Sequence, residues 1–263
     1  MRFVGSTENR LGRSLALPFC RPYALRRMTG PDLWKQLASR AQITLRDDQV
    51  ALLSRYIDLL LNANRRMNLT RIGSRDDAEL LHVADSLTLL PHLPHGPHAL
   101  ADVGSGGGVP GVPIAIARPD ARVSLIESTK KKASFLEEAA PALGLTNVTV
   151  DARRAEEVAH SPARETFDVA VARAVATLDW LAEWCLPLVK VGGRMLAMKG
   201  PKVQEELEAA RRAARLVGGG EIDLHAVDLP GTTGHVIALI PKIRKTDPRY
   251  PRPATHAKGK PLR

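Results

Sequence analysis

The sequence predicts an α/β protein: a seven-stranded, mostly parallel sheet with helices on both faces, preceded by a small helical cap. Two observations predict this fold class. Short apolar runs alternate with helical stretches through residues 99–240, as in successive β-α-β units. Apolar side chains in residues 32–90 instead recur at spacings of three and four, which is typical of amphipathic helices.

The cap is predicted to hold three helices, over residues 32–41, 46–66 and 76–90. In the second helix, Val50, Leu53 and Ile57 fall on one face. Pro91 ends the third helix, because proline cannot continue the helical hydrogen-bond pattern, and the residues after it predict a loop.

The sheet strands are predicted at residues 99–103, 123–126, 148–150, 167–172, 194–198, 222–227 and 235–240. Helical stretches separate the first five, which indicates parallel pairing through crossover connections. A helix over residues 203–217 precedes the last two strands, and Pro230-Gly231 between them favours a terminal hairpin.

The basic residues are concentrated at the two ends of the chain. The formal net charge is +10, of which residues 1–31 carry +5 and residues 242–263 carry +7, so the middle is near neutral at −2. This distribution predicts a basic leader over 1–31, a helical cap over 32–95, a ligand-binding domain over 96–241 and a basic tail over 242–263 that orders only on a partner. An anionic partner such as nucleic acid fits this charge.

The first 27 residues, with six arginines and a single acid, have the composition of a transit peptide or of a disordered leader. Met28 and the Thr29-Gly30-Pro31 after it also form a plausible natural start, so the leader could be a start-site artefact. We expect these residues to be disordered.

Two further observations limit the class of protein to which the chain can belong. The chain has two cysteines, Cys20 and Cys185, which form neither a disulfide framework nor a metal-binding pair, and they favour a reducing, cytoplasmic setting. Charged residues interrupt every long apolar run, so no membrane-spanning helix is expected.

The strongest motif is the loop DVGSGGG, residues 102–108, directly after the first predicted strand. Alternating glycines let a backbone turn tightly against a ligand. Gly106, Gly108 and Gly111 also match the dinucleotide pattern, so a nicotinamide-dependent oxidoreductase and a purely structural turn stay open. Pro110 cannot donate an N–H to a pyrophosphate, and Asp102 suits the cationic end of S-adenosylmethionine, which favours a methyl donor.

Residues after the second and third strands extend this site. Glu127 ends the second strand, where a carboxylate can accept both ribose hydroxyls, although it could also be a surface acid. Ala155 and Glu156 follow the third strand and can lie at an adenine edge, although they could equally begin an ordinary helix.

Several short motifs then occur in one order: MNLT at 67–70, His82 with Asp85-Ser86, DVGSGGGVPGVP, KKASFLEE, RAEEV, ARAVATL and AMKG. Together they resemble the RsmG family, also called glucose-inhibited division protein B, over about residues 45–263. The resemblance implies a class I methyltransferase of Rossmann-like fold. Such an enzyme transfers a methyl group from S-adenosylmethionine to N7 of one guanine in 16S rRNA, near the decoding centre of the bacterial small subunit.

The resemblance also implies roles for individual residues. The family's donor site corresponds here to Gly104, Val109, Ala155, Glu156 and Arg173. Asp102, Gly106 and Glu127 complete the cofactor set predicted from the loop and the second strand. The sequence departs from the family in having Glu127 where Asp is common, and in its arginine-rich leader.

Guanine N7 carries a lone pair and no proton, so its methylation requires no general base. We therefore predict no catalytic acid or base, only positioning by Arg173 and Lys199 at strand ends. A salt bridge to a helix acid is the alternative for Arg173, and a plain surface position is the alternative for Lys199. His82 and Asp85, three residues apart, are predicted to pack or to hydrogen-bond the cap to the domain.

The predicted RNA-binding residues are Lys130, Lys131, Lys132, Lys199, Arg249, Arg252, Lys258 and Lys260. Several of these could instead form a solvated face. Trp180 and Trp184 are interpreted as core residues. The expected partner is 16S rRNA or the small ribosomal subunit. The protein is expected to act as a cytoplasmic monomer and to bind no metal. The competing functions are methylation of a protein or metabolite, nicotinamide-dependent oxidation, and RNA binding without catalysis.

Overall fold

The computed structural model describes residues 28–253, 255 and 260–262. The predictions for the leader up to residue 27, for Cys20 and for Lys258 lie outside the described residues. Regular structure begins at Gly30, where the first helix starts.

The helices are α1 (Gly30–Arg40), α2 (Asp47–Met67), α3 (Arg75–Ala78), α4 (Asp85–Leu87), α5 (Gly111–Ala117), α6 (Lys130–Ala142), α7 (Ala155–Val158), α8 (Leu178–Cys185) and α9 (Val203–Leu216). A π-helical turn, Glu79–Ala84, joins α3 to α4, and a 3-10 turn, Leu90–His92, follows. The single helix predicted over residues 76–90 is therefore a chain of short helical pieces.

The strands are β1 (His98–Val103), β2 (Ala121–Ile126), β3 (Val148–Asp151), β4 (Phe167–Arg173), β5 (Val189–Lys199), β6 (Asp223–Ala226) and β7 (Val236–Pro241). They form one sheet of order β3-β2-β1-β4-β5-β7-β6. β1 to β5 are parallel, and β7 runs antiparallel to both β5 and β6. The predicted seven-stranded sheet and its terminal hairpin are confirmed.

Strand order reverses between β1 and β4, which are neighbours although two strands separate them in the chain. The crossover helices on the two sides of this point leave a crevice at the carboxyl ends of the strands, where α/β proteins bind ligands. The glycine loop follows β1 at this edge, and Arg173 and Lys199 end β4 and β5.

The two faces of the sheet carry separate cores. The cap packs with α5 and α6 on one face, through buried side chains such as Trp34, Leu53 and Leu136. α8 and α9 cover the other face through residues such as Leu181 and Ala213. Because the cap helices share their core with the sheet, the cap is part of the domain body.

The segment after Pro241 packs against the domain, so the expectation that it orders only on a partner is wrong for residues 242–253. Lys242 is 1% exposed, and its ammonium donates to Leu186 O at 2.5 Å and to Thr246 Oγ1 at 2.6 Å. Arg164 donates to the carbonyls of Tyr250 and Thr246. We call residues 242–253 the C-terminal strap.

Candidate active site

A cavity of about 950 Å³ lies between the cap and the carboxyl edge of the sheet. Its walls come from the glycine loop, the end of α2 with the loop after it, the π-helical turn, and the ends of β4 and β5. Gly104, Gly106 and Val109 line it together with Arg173 and Lys199. With Lys132, which also lines it, the structure thus brings six of the predicted site residues to one cavity.

The glycines of the loop serve different purposes. At Gly106, with φ of 59°, an added Cβ would meet only Gly104 O at 3.9 Å, so this position opens onto the cavity. At Gly111 a Cβ would come within 2.7 Å of Asp102 Oδ2, and at Gly108 within 2.7 Å of Val112. Gly106 therefore leaves room for a ligand, whereas the later glycines allow the loop to pack on the strand and helix beneath it.

Asp102 is fully buried beneath the loop and lines no described cavity. Its Oδ2 accepts a hydrogen bond from Gly111 N at 2.9 Å, while Oδ1 has no partner among the described residues. Burial raises the pKa of Asp102 to about 7, and the Gly111 N–H opposes that rise. The geometry gives Asp102 a supporting role in the loop, and its predicted contact with the methionine end stays a prediction.

Glu127 fixes the loop from the neighbouring strand. Its Oε2 accepts from Gly106 N at 2.8 Å and its Oε1 accepts from Thr129 N at 2.7 Å. Each carboxylate oxygen keeps a second acceptor site. The side chain is buried and lines no described cavity, so its predicted contact with ribose hydroxyls stays a prediction.

A second cavity of about 130 Å³ adjoins the first at Gly104. Ala155 and Glu156 line it, as does Trp184 of α8. Trp184 stacks on Trp180 with ring centroids 5.3 Å apart, and sequence reasoning interpreted both as core. Trp184 packs on the second core and also borders this cavity, a role that its helical spacing gave no means of detecting.

Arg173 joins the cap to the sheet. Its guanidinium donates to Asp85 Oδ2 at 3.0 Å, to His82 Nδ1 at 2.9 Å and to the carbonyl of Leu81. The salt bridge to a helix acid, weighed as an alternative for Arg173, is therefore present. His82 and Asp85 hydrogen-bond the cap to the domain as predicted, through Arg173.

The contacts of His82 fix its charge. Since arginine can only donate, His82 Nδ1 must accept, which leaves Nε2–H facing Thr70 Oγ1 at 3.2 Å. Burial and the adjacent Arg173 charge lower the pKa of His82 to about 4. Burial raises the pKa of Asp85, and Arg173 opposes that rise. A neutral imidazole and the Asp85 carboxylate therefore hold the arginine at the cavity wall.

Lys199 lies at the same wall and its charge is paired. The ammonium is 2.8 Å from Glu206 Oε2 and donates to Ala176 O at 2.9 Å, with the side chain 11% exposed. The alternative of an ordinary surface lysine does not fit this burial. Lys199 holds the loop after β4 against α9.

The other predicted RNA-binding residues occupy two regions. Lys130, Lys131 and Lys132 begin α6, and Lys132 lines the large cavity. Arg249 pairs with Asp247, and Arg252 pairs with the buried carboxylate of Glu183 at 2.7 Å. Lys260 is exposed, and its carbonyl accepts from Arg252. The two arginines of the strap thus have carboxylate partners within the chain.

The described residues lack two kinds of structural feature. They contain no group of three or more His, Cys, Asp or Glu side chains placed to hold a metal ion. No helix among them is both long and apolar enough to cross a membrane.

The sheet order, the antiparallel seventh strand and the glycine loop at the switch point define a class I, Rossmann-like methyltransferase. Residues 49–230 match the GidB family, whose description is rRNA small subunit methyltransferase G. The chain belongs to this family.

Curated relatives align with this chain over nearly their whole length. The chain is 39% identical over 237 residues to ribosomal RNA small subunit methyltransferase G of Lactobacillus delbrueckii subsp. bulgaricus, covering 88% of this chain and 99% of the relative. It is 40% identical to the protein of the same name from Alkaliphilus oremlandii, covering 88% and 98%. Among solved structures, it is similar to an S-adenosylmethionine-dependent O-methyltransferase from Thermotoga maritima, with 16% identity, TM-score 0.47 and 72% of each chain covered.

Proposed function

We propose that the protein transfers a methyl group from S-adenosylmethionine to N7 of a specific guanine in 16S rRNA, near the decoding centre of the small ribosomal subunit. Membership of the rRNA small subunit methyltransferase G family carries this proposal. The ligand-sized cavity beside the glycine loop gives the reaction a place in the molecule.

The two adjoining cavities fit the methyl donor. Gly104 is common to both, so a ligand lying across it reaches Arg173 on one side and Ala155 and Glu156 on the other. Gly106 leaves the loop surface open, and Glu127 offers its remaining acceptor sites to a ribose. When bound, S-adenosylmethionine supplies an electrophilic methyl group on a sulfonium. These residues would hold the donor.

The chain needs only to orient the two reactants. A guanine N7 presents a lone pair in the plane of the ring and carries no proton to remove, so alignment and electrostatics suffice. Arg173 can offer remaining N–H groups to the methionine carboxylate or to guanine O6 beside N7. Lys199 keeps the loop after β4 in place at the same wall.

Methylation of a protein or metabolite is the alternative within the same fold, and it requires no basic surface. A nicotinamide-dependent oxidoreductase is not supported, because the family match is to methyltransferases. We further propose that the protein acts as a monomer in the cytoplasm, where ribosomal RNA is found. Four large apolar side chains are exposed among the described residues, fewer than an obligate interface needs.

The test is incubation with methyl-labelled S-adenosylmethionine and small subunits that lack the modification, followed by N7-specific cleavage and primer extension. One labelled guanine near the decoding centre is the expected result. Already modified subunits serve as the control and should take no label. Label at another base would discard the assigned position. No label in spite of measurable donor binding would favour the protein or metabolite substrate.

A further inference from the structure

Three arginines at the end of α2 and in the loop after it have no function in the site described above. Arg65 and Arg66 lie in the last turn of α2, and Arg71 follows four residues after the helix ends. All three are exposed, and none forms an ion pair within residues 28–253. Other cations of the described chain do have carboxylate partners, among them Arg249 and Arg252.

The loop that carries Arg71 is held in place by its neighbours. Asn64 Oδ1 accepts from Thr70 N at 2.9 Å, and its amide donates to Ile72 O at 3.4 Å. Thr70 Oγ1 accepts from Ile72 N at 3.1 Å and contacts His82, which holds Arg173. Arg71 therefore extends from a fixed backbone on the wall of the large cavity.

A second group of cations lies at the start of the neighbouring helix. α2 packs against α6, whose first residues are Lys130, Lys131 and Lys132. Positive charges at a helix N-terminus oppose the helix dipole, so these lysines do not stabilise α6. Lys132 and Arg71 both line the cavity. None of these six basic side chains forms an ion pair within the described chain; two of them line the cavity, and the other four lie at the end of α2 and the start of α6.

We propose that Arg65, Arg66 and Arg71 form an RNA-binding rim with the three lysines, and that this rim holds the phosphates next to the target guanine. The proposal rests on the proposed function, since it assigns the surface on which that RNA lies. Arginine suits the task because its planar guanidinium binds phosphate oxygens in pairs. The cap then serves as the docking element for RNA.

The test uses the full chain with Arg65→Gln, Arg66→Gln and Arg71→Gln combined. The control combines Arg122→Gln, Arg211→Gln and Arg215→Gln. These positions are exposed and without ion pairs in the described chain; two lie on α9, across the sheet from the cap, and one lies near the amino end of β2. Both variants lose three positive charges. Binding to unmodified small subunits is measured over a salt series, alongside donor affinity and thermal unfolding.

The rim variant should bind the subunit at least about tenfold more weakly. The slope of its log K against the logarithm of the salt concentration should become less negative by about 2 to 3. Its donor affinity should match wild type, and the control should bind like wild type. An unchanged salt dependence in the rim variant, or an equal loss of subunit affinity in both variants, would overturn the proposed rim. This holds even if the rim variant unfolds at a lower temperature because it lacks positive charges at the end of α2. If the wild-type protein labels no rRNA, the proposed function fails instead, and the rim with it.

Discussion

Gly106 is the position in the glycine loop at which a side chain would enter the large cavity. Its neighbours Gly108 and Gly111 are constrained by the packing of the loop itself, whereas the space above Gly106 is open. Gly108 and Gly111 are therefore required for the packing of the loop, whereas Gly106 leaves space for a ligand. A methyl group added at Gly106 tests this assignment.

Gly106→Ala should raise the Kd for S-adenosylmethionine by tenfold or more, because the methyl group occupies the surface on which the donor lies. Its positive φ should also cost about 1 kcal/mol of stability. Calorimetric titration measures the first effect and urea unfolding the second. Gly144→Ala is the matched control: φ is 68°, nothing lies within 4 Å of its added Cβ, and it is remote from the cavity. Equal donor affinity in the two variants would remove Gly106 from the donor site.

His82 provides a pH-dependent link between the cap and the sheet. Its pKa is lowered to about 4 in the folded protein from an ordinary 6.5, so the unfolded chain binds more protons between these values. Stability should therefore fall as the pH falls from about 6.5 to 4. The contribution lost is roughly 2 kcal/mol at pH 5 and roughly 3 kcal/mol at pH 4.

The raised pKa of Asp102 acts in the opposite direction, since its protonation in the folded state favours folding as the pH falls from about 7. Comparing wild type with His82→Gln cancels the Asp102 effect, because both proteins contain it. The free energy of unfolding of wild type should drop further than that of His82→Gln between pH 7 and pH 5. Parallel pH profiles would show that His82 is not held neutral by Arg173.

Local sequence rules were sufficient for some site residues and insufficient for others. Gly104 and Gly106 could be placed at the cavity because the loop that carries them directly follows a recognisable strand. The contacts of Arg173 could not, since Asp85 lies 88 residues away and the register of the π-helical turn decides that both His82 and Asp85 face it. Only the packed cap brings these groups together.

At the scale of elements, the C-terminal strap shows how composition can mislead. A basic, proline-containing segment without apolar periodicity predicts a solvated tail. Buried polar contacts instead hold the strap on the domain. The Lys242 ammonium lies 3.2 Å from Glu165 Oε1, and Arg252 binds Glu183, whose side chain is 1% exposed. Burial lowers the pKa of Lys242 to about 8, and Glu165 opposes that change. Such specific pairings leave no periodic signal in a sequence.

Arg252→Gln should lower the free energy of unfolding by about 2 kcal/mol, because the buried Glu183 carboxylate loses its positively charged partner and keeps only the hydrogen bond from the backbone N–H of residue 252. The double variant with Glu183→Gln should lose less than the sum of the two single changes. Arg249→Gln is the control, since its pair with Asp247 is exposed and should contribute little to the free energy of unfolding. Urea unfolding gives all four values. Equal losses for Arg252→Gln and Arg249→Gln would show that the strap is not anchored at Glu183.

At the scale of the whole molecule, cap and sheet form one cooperative body. Trp34 of α1 belongs to the same core as Leu100 of β1, and Tyr56 of α2 donates to Gly107 O in the glycine loop at 2.7 Å. The number of strands and the helical cap were predictable because both follow from the local periodicity of apolar residues. Their docking depends on long-range contacts that no local pattern records.

Shared core and shared hydrogen bonds imply that the cap cannot unfold while the sheet stays intact. The chain has three tryptophans, and Trp180→Phe with Trp184→Phe leaves Trp34 as the only reporter, located in the cap. In this variant, urea titration followed by Trp34 fluorescence and by far-ultraviolet circular dichroism should give coincident midpoints, because one transition disrupts both parts. An earlier fluorescence midpoint would mean that the cap opens separately. The cavity wall formed by His82, Asp85 and Arg173 would then be lost before the sheet that carries the glycine loop.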